Sequence, residues 1–210
     1  MFKRNQLEEA IAIVLEPGSA KPSSEMRTRL KRLLETDRGL GRSKRSAYPE
    51  RANFSFHSMD APGRGLENWF TGYEAFALLT GLRLMRDGWP QGLVVAVLRR
   101  VKPDLERHHA RILRQDATAI SNETRRRAKP GDLAVSNTDP VFLMINSKDH
   151  EDRLGSNPAA ICRGQAELVR FITGSGPGQT WTVMELGTSI HALSSALAKT
   201  LPRKRGRGSQ

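Results

Sequence analysis

The sequence predicts an α+β protein, mainly helical through its amino-terminal half, with a small strand-containing unit in its carboxyl-terminal half. Three observations predict it. Apolar side chains recur at helical spacing in successive segments from Leu7 to Leu113, the period of helices that each bury one stripe. Runs rich in β-branched and aromatic residues, Val141 to Ile145 and Thr180 to Leu186, come later in the chain and fit strands. Between them Ser121 to Asn137 is polar and basic, without an apolar period, and reads as a linker. The expected organisation is a DNA-binding helical domain over 1–115, a linker over 116–138, an α+β domain over 139–201 and a disordered basic tail over 202–210.

The elements follow in order. From Gln6 to Glu16, Leu7, Ala10, Ile11, Val14 and Leu15 share one helix face, and Pro17-Gly18 stops the helix, since proline disfavours helical backbone in the residue before it. Ser24 is the expected cap of a second helix, with Glu25 against the positive end of its dipole. Met26, Leu30, Leu33 and Leu34 form its apolar side, and Gly39 and Gly41 end it. Asn53-Phe54-Ser55-Phe56-His57-Ser58 alternates polar and aromatic, and so does Leu66-Glu67-Asn68-Trp69-Phe70-Thr71 more weakly. With the turn formers of 59–65 between them, the two read as a hairpin. Tyr73 to Asp87 is a third helix, Leu93 to Val101 a fourth, and Pro103 suits the first turn of a fifth carrying Leu105, His109, Ile112 and Leu113. In the carboxyl half Ala160 to Ile172 reads as a long or bulged strand, Gly174 to Gly178 as a loop, and Ser189 to Leu201 as a closing helix.

Charge narrows the function classes. The 210-residue chain carries a formal net charge of +12, which attracts polyanions. The excess is segregated: residues 21–51 hold ten basic against four acidic side chains, 99–129 again ten against four, and 199–210 five against none. The longest apolar run, Gly92 to Leu98, is too short to span a bilayer. Lys3-Arg4 is followed by Glu8-Glu9 rather than an apolar stretch, so no secretory signal is expected. The single Cys162 permits no internal disulfide and fits a reducing compartment, so the expected location is the cytoplasm, at the nucleoid.

Helix, turn, basic helix, hairpin, helix, helix is the order of a winged helix-turn-helix. With Trp69-Phe70-Thr71-Gly72-Tyr73-Glu74, and then the apolar helix with interleaved arginines from Leu78 to Asp87 before Gly88-Trp89-Pro90, the chain resembles the MerR-type regulators of bacterial transcription over about residues 3–101. The resemblance implies a two-helix DNA reader, a hairpin wing running into a pair of helices, and a homodimer. Physically, the second helix suits a major groove, which admits one α-helix. Its cations are Arg27, Arg29, Lys31, Arg32 and Arg38; Arg42, Lys44, Arg45 and Arg51 would flank the duplex, and Arg64 sits at the tip of the expected wing. Most such cations meet phosphates and a few read base edges.

At the carboxyl end, Pro202-Arg203-Lys204-Arg205-Gly206-Arg207-Gly208 resembles an AT-hook, with Gly208 where the hook has proline. The resemblance implies that Arg203, Lys204, Arg205 and Arg207 enter a narrow minor groove; a generic basic arm that adds affinity through counterion release is the open alternative.

Other signals point to structure rather than chemistry. His108-His109 are adjacent and so cannot share one helix face as metal ligands. Gly174 to Thr180 lacks the lysine of a phosphate loop and leads into a strand. Cys162 and His191 have no group to orient them as nucleophile and base, and Asp149, Glu151 and Asp152 lack ligand spacing. The expectation is therefore a non-enzymatic, cofactor-free, sequence-specific regulator of transcription on double-stranded DNA. Its carboxyl half would dimerise it, bind a partner or sense a small effector. The rival reading is an architectural DNA-binding protein with little sequence preference; RNA binding is weaker, because no aromatic stacking platform is evident.

Overall fold

A helix buried on nearly every side positions the rest of the chain. In the computed structural model, which describes residues 1–19, 21–57, 68–116, 139–146, 159–176 and 178–202, that helix runs Gly72–Arg86. Before it come β1 (Phe2–Lys3), α1 (Arg4–Leu15), α2 (Ser24–Gly39), α3 (Pro49–Ala52) and β2 (Trp69–Phe70), so it is α4. Tyr73 through Leu82 are all buried. Thr71 and Glu74 start α4 with a reciprocal capping box: the Thr71 hydroxyl accepts from the Glu74 amide at 3.1 Å, and the Glu74 carboxylate accepts from the Thr71 amide at 2.7 Å. Gly88, at φ +91°, allows the turn after it. At Gly81 the packing is closest: a Cβ there would lie 3.2 Å from Leu33 Cδ1 and 3.3 Å from Leu98 Cδ1, so α2 and the following helix both approach α4 through this gap.

That helix, α5, is continuous over Gln91–Ile112 with Pro103 inside it, where the sequence was expected to give two helices. Proline removes one backbone donor, but Val94, Val97, Leu98, Val101, Leu105, His109 and Ile112 are buried on both sides of it, and one unbroken apolar face outweighs the lost bond. α2 agrees with expectation except at its cap, which is Ser23: its hydroxyl accepts from the Met26 amide at 3.1 Å and donates to the Glu16 carboxylate at 2.6 Å.

The expected hairpin is corrected over its described residues. Residues 53–57 form no strand, and Trp69–Phe70 pair antiparallel with Phe2–Lys3, Phe2 opposite Phe70 and Lys3 opposite Trp69. Polar–aromatic alternation implies one dry and one wet face, yet Phe54, Ser55, Phe56 and His57 are all buried. Their backbone groups find side chains instead of a partner strand, as described below. Residues 58–67, which include Arg64, lie outside the described residues.

In the carboxyl half β3 (Val141–Asn146) is the centre of a three-stranded antiparallel sheet, flanked by β4 (Ala159–Arg163) and β5 (Trp181–Glu185). The register sets Phe142 opposite Cys162 on one side and opposite Glu185 on the other. The long strand expected over 160–172 is corrected: β4 stops at Arg163, Gly164 takes φ +74°, and α6 (Gly164–Gly174) begins, with the Glu167 carboxylate accepting from the Arg163 amide at 2.6 Å. Leu168-Val169 and Phe171-Ile172 are spaced as a helix stripe, and only the reversal at Gly164 separates that stripe from the strand. The chain closes with α7 (Gly187–Lys199). The Glu185 carboxylate accepts from the Gly187 and Thr188 amides at 2.7 and 3.0 Å at its start, and Gln6 of α1 donates to the Thr200 carbonyl at 3.0 Å beyond its end.

The core is continuous across the division drawn from the sequence at 116–138. Ile190, Leu193, Ala196 and Leu197 of α7 and Val141, Leu143 and Ile145 of β3 belong to one buried cluster with α1, α2, α4 and α5. Asp139 ties the sheet to the end of α5, accepting from Arg163 at 2.9 Å with Arg111 at 3.9 Å. No helix among the described residues is long and apolar enough to cross a membrane.

Two outcomes follow from this packing. Gly81→Leu overfills the gap between α2, α4 and α5 and is expected to cost about 1–3 kcal/mol, read from the denaturant midpoint. His109 is buried, stacked on Phe76 at 5.3 Å and edge-on to Tyr73 at 5.7 Å; burial lowers its pKa from 6.5 to about 4. The unfolded chain takes up this proton near pH 6.5 and the folded chain only near 4, so the stabilisation is complete above 6.5 and is lost as pH falls towards 4. Thermal melts across that window should show a loss of up to about 3 kcal/mol, with a visibly flatter profile for His109→Phe.

Candidate nucleic-acid interface

The expected cations of α2 stand on the side opposite its apolar stripe. Met26, Leu30, Leu33 and Leu34 are buried, whereas Arg27, Lys31, Arg32 and Arg38 are exposed and Arg29 is half-buried. Arg27, Lys31 and Arg38 follow one flank at i, i+4 and i+11, a row about 16 Å long at 1.5 Å per residue. Most of these groups have carboxylate neighbours. Arg29 pairs with Glu25 at 2.5 Å and Lys31 with Glu35 at 3.7 Å, both i, i+4, and Arg27 reaches Glu8 of α1 at 3.5 Å. Exposed pairs of this kind contribute only a few tenths of a kcal/mol, so exchanging a carboxylate for a phosphate costs little.

The turn joining α1 to α2 is fixed by Glu16, whose carboxylate accepts from both the backbone amide and the hydroxyl of Ser23, at 3.1 and 2.6 Å. A cavity of about 520 Å³ lies beside it, with Leu15, Met26 and Leu82 on its walls together with Glu16, Glu25, Arg29 and Arg86. Two carboxylates and two guanidiniums there give no net preference for an anion.

Beyond α2 the basic loop 41–48 and α3 are held from beneath by α5. Asp37, fully buried, accepts from the amides of Ser55 and Phe56, each at 3.0 Å, and from Arg99 Nε at 2.7 Å. The Arg99 guanidinium also donates to the carbonyls of Asp37, Gly41 (2.7 Å) and Glu50 (3.3 Å). One side chain therefore gathers the end of α2, the start of the loop and α3. This brings Arg38, Arg42 and Arg51, each next in sequence to one of those carbonyls, to the same end of the molecule. Lys44 and Arg45 are exposed on the loop between them, which a bond from the Ser43 amide to the Arg51 carbonyl at 2.8 Å closes. Arg42 lies over the Phe54 ring at 5.1 Å, and Arg51 over Tyr48, a 61% exposed aromatic, at 5.7 Å. Arg27 and Arg29 sit at the other end of α2 and are not part of this cluster.

Two further groups of α5 complete the support. Arg100 grips the Glu50 carboxylate at 3.2 and 3.3 Å. Burial alone would raise that carboxyl, but the hydrogen bond from Arg100 and the charges of Arg100 and Arg51 hold it below its ordinary value. Lys102 is buried and donates to the carbonyls of Phe54 and His57, both at 2.8 Å. Burial lowers its pKa, against the attraction of Glu106, Glu74 and Asp37, and burial likewise lowers that of His57. Arg99, Arg100 and Lys102 belong to the second basic block of the sequence, so that block is in part internal framework. None of these support residues was a sequence-level candidate; the readable sign was Asp37, a carboxylate at the helical spacing of the apolar stripe of α2.

Arg203, Lys204, Arg205 and Arg207, like Arg64, lie outside the described residues. His109 packs against aromatic rings and Cys162 is buried, its thiol pKa pushed up by burial and by Glu167. Among the described residues no three His, Cys, Asp or Glu side chains converge as a metal site requires. Comparison with protein-family models, with curated proteins and with solved structures gives no match to this chain.

The frame yields a test. Asp37→Ala strands the buried guanidinium of Arg99 and is expected to cost about 3–5 kcal/mol, and Asp37→Leu combined with Arg99→Met recovers little of it, because the amides of Ser55 and Phe56 and the carbonyls held by Arg99 stay buried without these partners. Chemical denaturation of the three proteins checks the order.

Proposed function

We propose that this chain binds double-stranded DNA through α2 and the basic loop beyond it, and acts as a regulator of transcription at the nucleoid without catalysing a reaction. The observation that carries the reading is the layout of charge. The cations at the carboxyl end of α2, on 41–48 and on α3 share one end of the fold, and a buried Asp37–Arg99 pair fixes that end to α5. A pre-ordered basic surface loses little conformational entropy on meeting phosphates. α1, the Glu16-fixed turn and α2 serve as the helix-turn-helix, and the order of the helices supports the likeness to MerR-type regulators. The hairpin is left out of the proposal, because Trp69–Phe70 pair with the amino terminus. A homodimer would place two copies of α2 on inverted half-sites about one helical turn apart, or a multiple of it.

The architectural alternative uses the same surface without base readout. Selection of duplexes from a random pool separates the two, since a coat protein enriches no sequence. On either reading affinity should fall by about 10³–10⁵ between 50 and 200 mM salt if about six to ten phosphates are neutralised. Alanine at Lys31, Arg32 and Arg38 should each lower the log–log salt slope by about 1 with unchanged thermal melts. An affinity indifferent to salt overturns the proposal.

A further inference from the structure

A second cavity, of about 200 Å³, lies where β1, α5 and α7 meet, far in sequence from the basic loop. Phe2, Leu113, Ile190, Leu193 and Leu197 make its walls apolar. The polar side chains on it are His109 and Ser194, and no formally charged residue type lines it. His109 is 8% exposed. Its ring is placed by Phe76 and Tyr73, and its Cε1, the carbon between the two nitrogens, faces Gly72 on the same wall at 3.9 Å from where a Cβ would stand. Among the described residues no hydrogen bond satisfies either ring nitrogen. Ser194 and Leu113 are exposed and mark the opening.

Neither ring nitrogen of His109 is among the fully buried atoms that lack a partner, and a polar atom on an apolar wall gains a hydrogen bond from a matching ligand atom. An apolar cavity of about 150 Å³ stays dry and takes up benzene, so one of about 200 Å³ has room for a ring with one or two small substituents. An anion or cation entering it would leave water for walls that offer no countercharge. We propose that the cavity is a binding site for a small, uncharged, monocyclic aromatic alcohol, the ring among the leucines and the hydroxyl hydrogen-bonded to His109. A neutral imidazole offers one donor and one acceptor nitrogen, so it can accept a hydrogen bond from the hydroxyl without a charge being buried. The site stands independently of the DNA-binding proposal, and its test needs no DNA.

The experiment titrates the full chain with phenol, p-cresol, toluene and benzoate, by calorimetry and by the shift of the thermal midpoint. Phenol and p-cresol are expected to bind saturably and raise the midpoint. Toluene should bind about 2–12-fold more weakly than p-cresol, the worth of one net hydrogen bond, and benzoate not measurably. Ser194→Trp closes the opening from an exposed position, so it should melt like the parent and lose binding. His109→Phe should keep toluene and lose the preference for the alcohol. Absence of saturable binding by all four probes overturns the proposal, as does undiminished binding in Ser194→Trp. Equal affinity for p-cresol and toluene in the parent removes His109 from the site and overturns it in the form given.

Discussion

The fold depends on one buried ion pair. Asp37 and Arg99 have side chains 0% and 3% exposed, and taking two such charges out of water costs several kcal/mol each. Their attraction offsets that cost only when the remaining lone pairs and N–H groups are also used. Most are. The two carboxylate oxygens accept from the Ser55 and Phe56 amides as well as from Arg99, and three of the guanidinium's other four donors go to carbonyls. What the pair contributes is therefore less net stability than definition of position. It fixes where an otherwise irregular stretch, 41–57, must run over α5, a stretch whose backbone has no sheet to satisfy it.

The same arrangement divides the cations by burial. Arg99 and Lys102 are buried and spend their donors on backbone carbonyls. Arg27, Arg29 and Lys31 hold carboxylates at the surface, where water screens each pair. A count of basic residues treats both kinds alike. Only the outer kind is open to an external anion, and along 38–51 its position is set by Arg99.

How much of this was legible follows from how local each signal is. α1, α2, α4 and the closing helix were readable because one apolar stripe per helix is a property of consecutive residues. Pro103 was read as a boundary, since the gain from a shared face running past it depends on α4 and the sheet. Residues 53–57 have the alternation of a strand but not its partner; the Asp37 carboxylate accepts from the amides of Ser55 and Phe56, and Lys102 donates to the carbonyls of Phe54 and His57. In the candidate site the placement of the α2 cations off the apolar stripe was legible, because charge beside a stripe is a local pattern. Their support was missed because Arg99 and Lys102 look, in sequence, like any other cations on a helix.

The continuity of the core bears on how the two halves of the chain act together. α7 lies against α1, α4 and α5, and Arg83 of α4 hydrogen-bonds Ser189 near its start. α5 in turn carries the residues that hold the basic loop at one end and His109 at the other, ten positions apart on a single helix. A close-packed interior transmits displacement rather than absorbing it. Arg99, which holds the carbonyls of Gly41 and Glu50, and His109, which lines the seam with α7, are thus anchored on one continuous helix.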